Sequence, residues 1–206
     1  MNILHVCANP KPMEESASKQ LATAFMGKLF ELNPEVEIDN VDLYEEQPPF
    51  YSYPQFRGHW NPVFEKGYEP TAEECEAMSY ATDMAERFNK ADVLVLTTPM
   101  WNFSLPGIMK AWVDQVLAPG LVFELTKEGA KPLHKVKEVV LLVASGGVYK
   151  YDDVRDALTK QVEAAFGFVG IDNVQVAWAD GQNPLFVENG EERKQLAIES
   201  AEEIAE

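Results

Sequence analysis

The sequence predicts a doubly wound α/β fold, a five-stranded parallel sheet with helices on both faces, taken in the order 2-1-3-4-5 that would bring its three unusual loops together. Three observations predict it. Strand-like and helix-like runs alternate almost throughout the chain, as they do in strand–helix–strand folds. The length of 206 residues fits one domain, 1–206, below the roughly 250 residues at which single cores stop growing, and 46% hydrophobic residues suffice for a sizeable core. Finally, the loops after the first, third and fourth strands depart from ordinary turn chemistry, and in a parallel sheet all three lie at the carboxyl edge, where such folds hold ligands.

The elements follow in order. Asn2 to Cys7 is a short apolar strand, and Leu21, Phe25, Leu29 and Leu32 then recur at helical spacing after Ser16-Ala17-Ser18. Val36 to Leu43 alternates apolar and polar residues with a slip of phase at Asn40, which suits an outer strand. Tyr44 to Pro70 reads as an irregular excursion of eight aromatics interleaved with prolines, a pocket lid or a dimer contact, because so many aromatics must be buried somewhere. Ala72 to Lys90 is helical and Asp92 to Thr97 is the third strand. Leu105, Ile108, Met109, Trp112, Val113, Val116 and Leu117 form a stripe at i, i+3, i+4 spacing, read as core and interface, with Pro106 in the first turn. Lys137 to Ala144 is the fourth strand, Asp153 to Phe168 a helix, Val174 to Ala179 the fifth strand, and Glu191 to Ala205 an acidic last helix.

Charge and composition exclude several classes. Thirty-four Asp and Glu against 17 Lys and Arg give a net charge of −17, which repels nucleic acid and anionic membrane surfaces. The longest strictly apolar stretch, Val139 to Ala144, is far short of the roughly 20 residues of a membrane helix, and Met1 to Pro10 carries no secretion signal. Cys7 and Cys75 have no motif spacing and read as free thiols, so the cytoplasm is expected. His5, His59 and His134 are scattered, which supports neither a metal site nor a histidine-based triad.

Each of the three loops admits two readings. Ser16 and Ser18 open a helix whose free N–H groups and dipole favour an anion such as phosphate, but serine also caps helices there. Ser145-Gly146-Gly147 lets the backbone approach a flat heterocycle, or simply turns tightly from strand to helix. Pro99-Met100-Trp101-Asn102-Phe103 has no glycine and one short polar side chain, so it suits a planar aromatic ring better than a phosphate, although Trp101 and Phe103 could instead fill core.

Pro-Met-Trp-Asn-Phe-Ser-Leu-Pro-Gly-Ile-Met-Lys-Ala-Trp-Val-Asp-Gln-Val-Leu at 99–117, continued by Pro-Gly-Leu-Val-Phe at 119–123, resembles the flavodoxin-like family of FMN-dependent NADH azoreductases and quinone reductases. Gly146-Gly147 and Phe166 to Ile171 agree in order and spacing, so the resemblance covers about residues 91 to 182 well and the N-terminal part more loosely. It implies FMN with its phosphate at Ser16, Ala17 and Ser18, and Asn9 about where the family has another serine. It implies Pro99, Met100, Trp101, Asn102 and Phe103 against the isoalloxazine, and Ala144, Ser145, Gly146 and Gly147 in place of the family's Ser-Arg-Gly-Gly, without the arginine. Phe123 and Phe168 are expected at the substrate pocket, and a homodimer is implied, with aromatics of both subunits covering the flavin.

The function the resemblance implies is hydride transfer from NAD(P)H to a quinone or azo compound by a ping-pong mechanism, with no dedicated catalytic residue because the flavin carries the chemistry. No Gly-x-Gly-x-x-Gly is present, which leaves NAD(P)H as a transient substrate. The rival is a flavodoxin-type electron carrier, whose acidic surface suits basic redox partners. A carrier needs no substrate pocket, and the aromatic excursion together with Phe123 favours the reductase.

Overall fold

The computed structural model describes residues 1–150 and 152–206. Five parallel strands, β1 (Asn2–Cys7), β2 (Glu37–Asp42), β3 (Val93–Pro99), β6 (Glu138–Ala144) and β7 (Val174–Ala179), form one sheet in the order β2-β1-β3-β6-β7, which is the expected 2-1-3-4-5 order. β6 pairs with β3 over seven positions, from Val93 opposite Glu138 to Pro99 opposite Ala144. That register brings the ends of β3 and β6, and the loops that leave them, to the same height.

Alternation along the strands builds two cores, one on each face. Leu94, Leu96, Val139, Leu141 and Val143 meet α4 (Ser79–Lys90), α5 (Gly107–Val116) and α6 (Ala157–Phe168) through Phe88, Met109, Trp112, Val116, Val162 and Phe166. Val95, Val140, Leu142 and Ala177, one residue out of phase, meet α1 (Ala17–Leu32) and α7 (Gly190–Ile204) through Leu21, Phe25, Ala197 and Ala201. The α5 stripe is thus core for Met109, Trp112, Val113 and Val116, while Ile108 and Leu117 are only partly covered.

Four elements differ from expectation. The stretch 44–70 contains α2 (Tyr53–Phe64), capped by Ser52, whose Oγ accepts from the Gln55 N–H. Its prolines do not prevent it, because Pro54 stands in the first turn, where an N–H has no helical acceptor anyway, and Pro62 interrupts only the last turn. The helix expected over 72–90 divides at Met78 into α3 (Ala72–Ala77) and α4, and α2 packs on that junction so closely that a Cβ at Gly58 would lie 2.6 Å from the Met78 Sδ. The helix expected from Asp153 starts at Ala157, with the Asp156 carboxylate accepting from the Thr159 N–H as its cap. An antiparallel hairpin of β4 (Phe123–Thr126) and β5 (Gly129–Pro132) was not foreseen; with four residues per strand it is too short for a period-2 pattern to stand out.

Candidate functional site

A cavity of about 320 Å³ opens at the carboxyl edge of the sheet, where the loops after β1, β3 and β6 meet. The first loop contributes Asn9, Lys11, Glu14, Glu15, Ser16 and Ala17, the second Pro99, Met100 and Trp101, and the third Ala144, Ser145 and Gly146. Nine of the residues expected from the sequence therefore line one space. Ser18 lies behind its wall, fully buried, and Asn102, Phe103 and Gly147 continue its lining loops without lining it.

The first wall is a small hydrogen-bonded unit. Buried Asn9 donates its side-chain amide to the Ser16 Oγ at 2.8 Å and the Ser18 Oγ at 3.0 Å, and the Ser16 Oγ also accepts from the Lys19 N–H as the cap of α1. The capping reading of Ser16 is thus observed, and because capping uses the oxygen, the hydroxyl proton stays available as a donor, with the Ser18 Oγ 3.4 Å away. The backbone N–H groups of Ala17 and Ser18, at the positive end of α1, have no acceptor among the described residues. Two free amide donors beside a hydroxyl at a helix start are the kind of donor set that suits an anion.

The second wall is a strained turn. The Trp101 and Ser104 backbones exchange two hydrogen bonds of 3.1 Å, and between them Asn102 and Phe103 have φ of 49° and 69°. Two successive left-handed residues are the mark of a type I′ turn, ordinarily made by Asn-Gly. Asn102 tolerates the conformation; a bulky phenylalanine does so at a cost. The turn is held against α6 by the Ala157 N–H, which donates to the Phe103 carbonyl at 3.1 Å, and by the Ser104 hydroxyl, which donates to the Gln161 Oε1 at 3.0 Å. Trp101 and Phe103 remain about half exposed, so they do not fill core as an aromatic usually does.

The third wall is fixed from the far side of the sheet. The carbonyls of Ser145, Gly146 and Gly147 accept from the N–H groups of Gln182, Asn183 and Gly181. The Trp178 Nε1–H donates to the Ser145 Oγ at 2.8 Å, and that hydroxyl donates to the Gly147 carbonyl at 3.0 Å. Below it, Asp180 takes two bonds from the Arg193 guanidinium, at 2.6 and 2.8 Å, and a third from the Tyr149 N–H. Gly146 packs closely against Asn183, whose Cβ would be 3.3 Å from a Cβ added there.

Phe123 and Phe168 pack edge to face at 5.3 Å, but neither lines this cavity. Phe123 is buried at the head of β4, and Phe168 borders a separate groove of about 740 Å³ with Tyr51, Trp60, Val113 and Leu117. The sequence reading also missed Gln20, Gln182 and Lys194, which complete the cavity from α1, the loop after β7, and α7. None had a signal along the chain, since their positions follow from how α7 packs beside α1. Among the described residues no three His, Cys, Asp or Glu side chains cluster as metal ligands, and no helix is long and apolar enough to cross a membrane.

Comparison with known proteins follows the same outline. The family described as "Flavodoxin-like fold" matches residues 1–205. The chain belongs to this flavodoxin-like family. It is 31% identical over 205 residues to FMN-dependent NADH:quinone oxidoreductase 3 of Bacillus cereus, covering 98% of this chain and 97% of that protein. It is 34% identical over 183 residues to an FMN-dependent NADH:quinone oxidoreductase of an Exiguobacterium species, covering 88% and 84%. Among solved structures, an azoreductase from Bacillus anthracis superposes with a TM-score of 0.87 at 29% identity, covering 100% of this chain and 98% of that one. An FMN-dependent NADH-azoreductase from Bacillus anthracis in complex with FMN gives 0.83 at 26%, covering 99% and 97%. In this flavodoxin-like chain, then, the cavity at the carboxyl edge lies where the strand order reverses between β1 and β3, the position at which doubly wound folds take their ligands.

Proposed function

We propose that this chain is an FMN-dependent oxidoreductase that passes hydride from NAD(P)H to quinones or azo compounds by a ping-pong mechanism, as a homodimer in the cytoplasm. The observation that carries the reading is the convergence of a free-amide anion site, a half-exposed aromatic turn and a glycine loop on one cavity. The names of the relatives, FMN-dependent NADH:quinone oxidoreductases and azoreductases, support it.

The residues present fit FMN. The Ala17 and Ser18 N–H groups and the Ser16 hydroxyl supply donors for a phosphate, with Asn9 and Ser18 orienting that hydroxyl. Pro99, Met100 and Trp101, continued by Asn102 and Phe103 beyond the cavity, offer a largely apolar surface for a flat ring, and Ala144, Ser145 and Gly146, continued by Gly147, a backbone edge. Bound FMN supplies two-electron chemistry. The protein binds, orients and excludes water, and one opening shared by donor and acceptor accounts for their binding in turn. No side chain is assigned as an acid or base.

Exposed Phe50, Tyr53, Phe56 and Phe64 gather around α2, and Phe56, Trp60 and Phe64 stack along it at 6.3 and 5.9 Å. Such a patch supports a two-fold partner here, with Phe168, backed by Phe123, at its border. The test is reconstitution of the purified chain followed by flavin chromatography and steady-state kinetics with NADH, NADPH and a quinone. One FMN per chain and parallel double-reciprocal lines are expected; FAD alone, no flavin, or no flavin-dependent turnover would overturn the reading.

A further inference from the structure

The cavity's charge is at odds with the occupant proposed for it. A phosphate monoester carries roughly −1.5 to −2 near neutral pH, yet Glu14 and Glu15 line the same end of the cavity as Ser16, in a chain whose net charge is −17. Hydroxyl and amide donors at the start of α1 satisfy oxygens without cancelling that charge. Two lysines line the cavity, Lys11 from the loop before α1 and Lys194 from α7.

Lys194 stands out against its own helix. α7 carries Glu191, Glu192, Glu199, Glu202 and Glu203, and its only cations are the neighbours Arg193 and Lys194. Arg193 is committed to Asp180 beneath the Gly146-Gly147 loop. Lys194 pairs with Glu191 at 2.9 Å, but its side chain is 16% exposed while that of Glu191 is 83% exposed. Its aliphatic stem is thus covered while its ion-pair partner stands in water. Lys194 lies along the cavity wall beside Gln20 and Gln182, in the sector that closes the space between α1 and the glycine loop. A compact ammonium on a flexible stem is suited to meeting a phosphate as a point charge.

We propose that Lys194 is a cofactor-binding residue that offsets Glu14 and Glu15 and gives the cavity its preference for phosphorylated flavin, FMN, over riboflavin. The inference rests on the FMN reading of the same cavity. It assigns α7 a direct part in cofactor choice, beyond its packing against the sheet.

The test is the dissociation constants of FMN and riboflavin, followed by flavin fluorescence quenching at low and high salt, for the flavin-free full chain and for K194M and K194R. K194M is expected to weaken FMN by about tenfold at low salt, the effect of one charge in a partly screened site. The loss should shrink as salt rises, riboflavin binding should be unchanged, and K194R should stay near wild type. Far-UV circular dichroism and the urea midpoint confirm that the variants fold. Equal loss of both flavins, no loss of FMN, or a loss independent of salt overturns the role of Lys194. A wild-type chain that binds neither flavin overturns the FMN reading itself, a result separate from any comparison of variants.

Discussion

The Trp178 indole N–H donates to the Ser145 hydroxyl across the end of the sheet, so a side chain of the last strand holds the loop of the neighbouring strand from beneath. Trp178→Phe keeps an aromatic ring beside Tyr149, whose ring centroid is 5.1 Å from that of Trp178, and removes that bond together with the part of the indole that phenyl lacks. A loss of about 1 kcal/mol in urea-determined stability is expected. FMN should also dissociate several-fold faster, because the loop loses its anchor. Unchanged off-rates would show that the pairing of 145–147 with 181–183 is sufficient alone.

Phe103→Gly separates stability from binding. Residue 103 has φ of 69° and its ring is half exposed, so glycine relieves backbone strain at little cost in burial. A gain of about 1 kcal/mol in stability is expected, with weaker flavin binding if the ring covers the cofactor. A destabilised variant would mean that the ring contributes more packing than its exposure suggests.

His59 makes the fold acid-sensitive. Burial pushes its imidazole pKa from 6.5 down to about 4, and its one hydrogen bond, Nδ1 to the Tyr51 hydroxyl at 2.8 Å, leaves Nε2 without a partner among the described residues. Between those two values the unfolded chain binds a proton that the folded chain refuses. Stability is therefore complete above pH 6.5 and falls as pH drops towards 4. The urea midpoint of His59→Gln should fall less steeply over this window than that of wild type, and parallel curves would contradict the assignment.

The aromatic face of α2 predicts the assembly. Sedimentation should give about twice the chain mass of 23.1 kDa. Phe64→Glu, which places a charge at the exposed end of the Phe56–Trp60–Phe64 stack, should shift the chain towards the monomer and lower turnover with it. A wild-type monomer with full activity would remove the shared-surface reading.

The sheet was legible because its strands are apolar runs set between helices of clear 3.6 period, and its order came with the flavodoxin-like resemblance and made one site of the three unusual loops. Ser16, Met100, Trp101 and Gly146 were legible as residues of one cavity because their loops depart from ordinary turn chemistry. What the sequence hid was of two kinds. α2 was masked by Pro54 and Pro62, which read as breakers although neither removes a bond from the middle of the helix. Lys194 and Gln182 were invisible because their place depends on tertiary packing between α1 and α7, and the strain at Phe103 because a phenylalanine in a left-handed turn contradicts the local rule that would have signalled the turn.

The bonding of residues 145–147 to 181–183 also sets an order of events during synthesis. A ribosome that has made the first three strands and the serine turn has exposed two walls of the cleft, but the third has nothing to rest on until residues beyond 183 have left the exit tunnel. The nascent protein therefore emerges with its cleft incomplete. On the FMN reading, cofactor capture belongs to the finished polypeptide.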